Sequence, residues 1–194
     1  MPLDHELRSF MRPVEAREDG GRRTVHGYAA VFDQPAEIAG EFLEVIAPGA
    51  FAETLRSADV RAYFDHDQGR ILGRTSAGTL RLREDATGLA VEIDLPDTTD
   101  GRDARELISR GDVSGMSFAF VATREAWDFS APLPRRTVQA VDLIEVSIVS
   151  APAYEGTSVA LRSRETARAS HNFSAAARRL RMKATLDLRA RSKA

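Results

Sequence analysis

Short runs of alternating apolar and polar residues, separated by turn residues, constrain the fold of this sequence more than any other feature. Six such runs precede residue 96, at 24–32, 42–46, 60–64, 71–75, 79–83 and 89–95, and three follow at 113–123, 137–141 and 144–149. Alternation of this length predicts half-buried β-strands. Asp85-Ala86-Thr87-Gly88 is typical of the turn of a hairpin. The chain is therefore expected to be mainly β.

Two segments interrupt the strand pattern and are predicted to be helical. Residues 48–57 fit a short helix, and residues 99–110 fit a longer one that ends at Gly111, a favourable C-terminal cap. Many short strands with two or three helices suit a closed or nearly closed sheet better than βαβ units. We predict an α+β, mainly β fold: a small closed or partly open antiparallel β-barrel with two or three flanking helices.

The C-terminal region differs from the body in charge and in periodicity. From Leu161 onward the chain has ten basic and two acidic residues, a formal charge of +8. Because the whole chain has a net charge of −2, the residues before Leu161 carry −10. The spacing of four between Ala176, Leu180, Ala184 and Leu188 predicts a basic amphipathic helix after a flexible polar stretch at 163–172. We predict a body of residues 1–162 and a helical tail of residues 163–194. Such a charge distribution suggests that the tail binds an acidic protein surface or nucleic acid, or that it folds back on its own body. The alternative is a solvated tail with no partner.

Composition excludes several classes of protein. The chain has 194 residues and no cysteine, so a disulfide framework, a thiolate zinc site and a cysteine nucleophile are excluded. No apolar run approaches the roughly 18 residues of a membrane span, and the N-terminal region with Asp4 and Glu6 is unlike a signal peptide. A soluble, cytoplasmic protein is expected. The sequence has no phosphate-binding glycine motif, and no cofactor is predicted.

One serine, one histidine and one acid lie in separate predicted strands or at a strand end, and they suggest nucleophilic catalysis. Ser117 lies in the run at 115–120, His66 in Asp65-His66-Asp67, and Glu145 begins Glu145-Val146-Ser147. A serine hydroxyl is a poor nucleophile until a base accepts its proton, and the base works best when a third group holds its imidazole. The order His, Ser, Glu makes a serine hydrolase the leading hypothesis.

Strand periodicity tests this set of residues independently. Ser117 points away from the apolar face of its strand, which carries Phe118, and Glu145 points away from the apolar face of its own strand, which carries Val146. If the two strands are neighbours, Ser117 and Glu145 line one polar groove. His66 has the parity of the apolar positions in its own run, so we expect a strand end or a turn to release it from the pleat.

Several motifs, in order along residues 23–160, resemble those of one family. The motifs are Gly27-Tyr28-Ala29-Ala30-Val31-Phe32, Pro48-Gly49-Ala50-Phe51, Asp65-His66-Asp67 with Leu72-Gly73-Arg74, the run Gly111-Asp112-Val113-Ser114-Gly115-Met116-Ser117-Phe118-Ala119-Phe120, and Glu145-Val146-Ser147-Ile148-Val149 before Pro152-Ala153. The chain resembles the herpesvirus-assemblin-like prohead (capsid-maturation) serine protease family of tailed phages and phage-like gene-transfer particles. It departs from the family at Ala119, where glycine is usual.

The resemblance implies a serine endopeptidase with Ser117 as nucleophile, His66 as general base and Glu145 as the acid that orients the imidazole. Ser114 is the weaker alternative for the nucleophile, and Asp65 and Asp67 are alternatives for the acid. The implied substrates are the scaffold-like N-terminal segment of the major capsid protein, other prohead components and the protease itself. The implied location is the immature capsid inside the host bacterium, and a homo-oligomer is possible.

Three other interpretations stay open at the level of sequence. Asp65-His66-Asp67 could bind a divalent metal, although no second cluster with ligand spacing accompanies it. Trp127 and Phe129 could form a docking site, a lid or part of the core. The alternative to an enzyme is a capsid-assembly scaffold protein that uses the basic tail as an interaction arm.

Overall fold

The computed structural model describes residues 5–10, 12–19, 21–151 and 157–191. The chain divides into two compact units, Met1–Thr157 and Ser158–Ala194. The described elements are, in chain order, β1 (Glu6–Phe10), β2 (Glu15–Asp19), β3 (Arg22–Val31), β4 (Ala36–Ile38), β5 (Phe42–Ile46), a 3-10 helix (Thr54–Arg56), β6 (Arg61–Phe64), β7 (Asp67–Arg74), β8 (Leu80–Glu84), β9 (Gly88–Asp94), α1 (Thr99–Arg110), β10 (Gly115–Asp128), β11 (Arg135–Val149) and α2 (Thr157–Arg191).

The first sheet has seven strands and is organised around the long strand β11. Its main order is β1-β10-β11-β5-β4, and β6 joins it by pairing with both β11 and β7. Strands β10 and β11 form an antiparallel pair in which Ser117 lies opposite Ser147. Along its length β11 pairs in parallel first with β5 and then with β6. The second half of β11 therefore lies between β10 and β6.

The second sheet is a four-stranded antiparallel sheet of order β2-β3-β9-β8. Strands β8 and β9 form the hairpin predicted from residues 85–88, and the carboxylate of Asp85 accepts hydrogen bonds from the amides of Thr87 and Gly88. A Cβ at Gly88 would lie 2.0 Å from the carbonyl oxygen of Ala30. Glycine is thus required at this position, where β9 pairs closely with β3.

One hydrophobic cluster connects the two sheets. It includes Val25 and Leu89 from the second sheet together with Phe118 and Val146 from the first. The ring of Phe51, which precedes the 3-10 helix, meets that of Phe118 edge to face at 5.4 Å. Burial of this cluster fixes which face of β10 and β11 is turned inward, and the residues at alternate positions are left on the other face.

Some predictions of the fold are confirmed and others are wrong. The fold is α+β and mainly β, and α1 ends at Gly111, whose φ of 80° lies in the left-handed region as expected of a cap. In the described residues the strands form two open sheets and no closed barrel, and the first sheet is mixed because β11 pairs in parallel with β5 and β6. The segment 48–57, predicted as a short helix, forms turns and the 3-10 helix Thr54–Arg56, and Gly49, with a φ of 86°, lies outside helical geometry.

Helix α2 continues from Thr157 to Arg191 and includes residues 163–172, which were expected to be flexible. Phe173 and Met182 are exposed on it. The side chains of Leu180, Ala184 and Leu188 lie outside the described residues, so the amphipathic stripe and the boundary at Arg162 stay predictions. Across the part of the chain that the structure describes, no helix is both long and apolar enough to span a membrane.

Candidate active site

His66 lies on the two-residue turn between β6 and β7. Asp65 and His66 have φ values of 49° and 60°, and two consecutive left-handed residues match the right-handed twist of a tight hairpin. His66 is thereby released from the alternation of β6, as its parity required. Left-handed backbone in residues other than glycine costs of order 1 kcal/mol, so the surrounding structure must hold the turn.

The side chain of Asp65 supplies part of that support. Its carboxylate accepts hydrogen bonds from the amide of Ser150 at 2.8 Å and from the Ser150 hydroxyl at 3.1 Å. The Asp65 amide in turn donates to the carbonyl of Ile148 at 2.9 Å. The turn that carries His66 is therefore attached to the end of β11.

The imidazole of His66 contacts the carboxylate of Glu145 through Nδ1 and Oε1. Glu145 lies on the part of β11 that pairs with β6, opposite Arg61. The His66 side chain is 20% exposed and that of Glu145 is 9% exposed. The contact therefore lies at the edge of solvent, where the carboxylate can fix the orientation of the ring.

The other ring nitrogen of His66 is available for proton transfer. Nε2 is buried and has no hydrogen-bond partner among the described residues. With Nδ1 directed at Glu145, Nε2 is the position that would accept a proton from a nucleophile.

Ser117 lies on β10 on the same face of the sheet as Glu145. Ser117 pairs with Ser147 and Ala119 pairs with Glu145, without a bulge between them, and directly opposed residues share a face. Phe118 and Val146 lie on the apolar side and are fully buried. The sequence left open whether the two strands are neighbours; they are, and Ser117 and Glu145 lie on one face of the sheet.

The hydroxyl of Ser117 is not hydrogen bonded to His66 in this structure. Ser117 is fully buried, and its Oγ donates to the carbonyl oxygen of Arg8 on β1 at 3.0 Å. The hydrogen bonds of the described residues thus join His66 to Glu145, whereas that of the Ser117 hydroxyl leads to β1.

Ser147 is the residue that sequence reasoning missed. It is fully buried, it lies opposite Ser117 on β10 and Tyr63 on β6, and its Oγ donates to Glu145 Oε1 at 3.2 Å. Its spacing of two from Glu145, which places both side chains on one face of a strand, was the available signal.

The alternative site residues have other partners or positions. The Asp65 carboxylate binds Ser150, and Asp67 accepts a hydrogen bond from the amide of Gly69 at 2.8 Å. Ser114 lies between α1 and β10, outside the strand that carries Ser117. No group of three or more His, Asp or Glu side chains among the described residues could hold a metal ion.

A buried ionic cluster links β1 to β5 and β11 on the face of the first sheet opposite to that of Ser117. Arg8 and Arg136 contact Glu6 and Glu44 at distances from 2.6 to 3.1 Å, and Arg136 also binds Glu125. Burial opposes the charged form of Arg136, but the hydrogen bonds to Glu6 and the nearby carboxylates raise its pKa above the ordinary value. The cluster holds β1, whose Arg8 carbonyl accepts the Ser117 hydroxyl.

Trp127 packs within the body. Its ring meets that of the buried Phe42 edge to face at 5.1 Å, and Phe129 stacks on it at 6.0 Å. These contacts favour a packing role over a docking site.

Comparison with known proteins gives one match. A model of the caudovirus prohead serine protease family, Peptidase_S78, matches residues 12–172. No curated protein and no solved structure gives a significant match. The matched range contains His66, Ser117 and Glu145.

Proposed function

The chain belongs to the caudovirus prohead serine protease family, and we propose that it is the serine endopeptidase that matures a capsid. Its substrates would be the scaffold-like N-terminal segment of the major capsid protein, other prohead components and the protease itself. It would act inside the immature capsid of a tailed phage or a phage-like gene-transfer particle, in the host bacterium. The observation that carries the assignment of the site is the contact of His66 Nδ1 with Glu145 Oε1 on the face that bears Ser117.

In the proposed reaction Ser117 Oγ attacks the scissile carbonyl carbon, and His66 Nε2 accepts the hydroxyl proton. The C–N bond then breaks, and the imidazolium gives its proton to the leaving amine. A water molecule hydrolyses the acyl-enzyme in the same way, with His66 as base. Glu145 orients the ring and stabilises the imidazolium.

The nucleophile must change its hydrogen bond before it reacts. Ser117 Oγ donates to the Arg8 carbonyl in this structure, so attack requires rotation of the hydroxyl toward His66. Exchange of one neutral hydrogen bond involves about 1 kcal/mol, which binding of a substrate can supply.

Co-expression with the major capsid protein tests the proposal. We expect the wild-type chain to shorten the capsid protein, and Ser117→Ala and His66→Ala each to remove nearly all shortening. The double variant should be little worse than either single one, because a nucleophile and its base lose their benefit together. Intact shortening with Ser117→Ala would contradict the nucleophile, and no shortening by the wild type would favour the assembly-scaffold alternative.

A further inference from the structure

A buried hydroxyl lies beside the acid of the proposed site and has no role in the reaction described so far. Ser147 Oγ donates to Oε1 of Glu145 at 3.2 Å, and the same oxygen contacts His66 Nδ1. A carboxylate oxygen has two lone pairs and can accept both bonds. Oε1 is therefore held by two donors, one from β11 itself and one from the β6–β7 turn.

The position of Ser147 in the sheet makes it central to the site. It lies opposite Ser117 on one neighbouring strand and opposite Tyr63 on the other, and adjacent strands are about 4.8 Å apart. Directly opposed side chains share a face, so Ser147 lies on the same face of the sheet as Ser117. Its strand, β11, lies between β10, which carries Ser117, and β6, which leads to His66. A small side chain with a donor is what this position requires.

We propose that Ser147 is a positioning residue that holds the carboxylate of Glu145 against the imidazole of His66. The inference depends on the proposed function, since it assigns a role within the same site. A glutamate side chain has several rotatable bonds, and a second fixed donor on Oε1 limits the arrangements that it can adopt. Without the hydroxyl, the carboxylate would leave the ring more often, and fewer molecules would have Nε2 ready to accept the proton.

The test uses a fluorophosphonate probe, so that it needs no knowledge of the cleavage site. Ser117 Oγ forms a bond to phosphorus, the P–F bond breaks, fluoride leaves and the proton passes to His66. For Ser147→Ala we expect the maximal labelling rate to fall about three- to tenfold, the effect of one neutral hydrogen bond. The probe concentration for half-maximal rate should not change, because the proposed role of Ser147 is to hold Glu145 and not to bind the probe.

Two conservative variants and one control separate the hydroxyl from packing. Ser147→Thr keeps the hydroxyl on a side chain that suits a strand and should recover most of the rate. Ser147→Cys keeps nearly the same shape with a weaker donor and should give an intermediate rate, even if the alanine variant does not fold. Thr24→Val removes a buried hydroxyl that donates to the carboxylate of Asp94 on the second sheet, and should leave the labelling rate unchanged.

A double-mutant cycle with Glu145→Ala shows whether Ser147 acts through the acid. Once the carboxylate is gone there is nothing to position, so Ser147→Ala should cause little further loss. Additive losses, or wild-type labelling of Ser147→Ala while Ser117→Ala is unlabelled, would overturn this inference alone. Undiminished labelling of Ser117→Ala would instead overturn the proposed function. Complete loss in Ser147→Ala would also contradict a positioning role, because it exceeds the effect of one hydrogen bond.

Discussion

At the scale of single residues, the backbone of Asp65 and His66 decides how the base meets its acid. Both residues adopt positive φ, and the resulting turn sends His66 out of the pleat of β6 and over β11, to Glu145. Histidine and aspartate tolerate this conformation better than most residues other than glycine. The acid that contacts His66 is therefore Glu145, and not Asp65 or Asp67, which flank it in the sequence.

We expect Asp65→Ala to lower both activity and stability. It removes the acceptor for the amide and hydroxyl of Ser150, so the turn loses about 1–3 kcal/mol of support and His66 is less well placed. Fluorophosphonate labelling and urea denaturation measure the two effects. Asp67→Ala is the matched control, because Asp67 is exposed and accepts one local bond from Gly69; a dead Asp67 variant beside an active Glu145→Gln would show that the acid was wrongly assigned.

At the scale of elements, β1 is an edge strand with buried charges. Edge strands are often weakly held, but β1 brings Glu6 and Arg8 into a cluster with Glu44 of β5 and Arg136 of β11. All four side chains are at most 3% exposed. The cluster therefore connects β1, β5 and β11 on the face of the sheet opposite to that of Ser117.

Removal of one charge from this cluster should be strongly destabilising. We predict that Glu44→Gln lowers the free energy of unfolding by about 3–5 kcal/mol, because it leaves the two buried guanidinium groups with one carboxylate fewer. Glu15→Gln breaks the exposed pair with Arg17 and should cost less than about 1 kcal/mol. Urea titration of both variants gives the comparison, and equal losses would mean that burial contributes nothing to the effect.

At the scale of the whole molecule, charge is divided between the body and the C-terminal region. The segment from Leu161 onward carries +8 and the rest carries −10, and most of that segment belongs to α2. A basic helix with exposed apolar residues such as Phe173 suits an acidic protein surface, because charge steers the encounter and apolar contact fixes the orientation. We propose that the tail recruits the protease to a prohead component.

Truncation after Arg162 should separate recruitment from catalysis. We expect fluorophosphonate labelling of Ser117 to continue and packaging into particles to fall. In the full chain, binding of the tail to the prohead component should weaken as salt rises, since exposed charges are screened over about 8 Å at physiological ionic strength. Leu180→Asp combined with Leu188→Asp should also reduce packaging, which a purely electrostatic arm for nucleic acid would tolerate. Normal packaging of the truncated chain, or loss of labelling, would exclude a recruitment arm.

The sequence alone determined what depends on neighbours along the chain. Alternation predicted that Ser117 and Glu145 avoid the apolar faces of their strands, a C-terminal glycine marked the end of α1, and residues 85–88 predicted the β8–β9 hairpin; all three are found. The parity of His66 pointed to a strand end or a turn that releases it from the pleat, and the positive φ values show a turn. These features are local because the period of a strand and the conformation of a turn are set within a few residues.

Only the tertiary structure decided which strands lie side by side. Periodicity assigns a face to each residue but not a neighbour to each strand. The parallel pairing of β11 with β5 and β6 was therefore missed, and a closed or partly open antiparallel barrel was expected. The pairing of β6 with β11 is what brings His66 to Glu145, and the pairing of β10 with β11 is what places Ser147 opposite Ser117. Contacts between residues distant in sequence depend on burial of the whole core, which no single segment encodes.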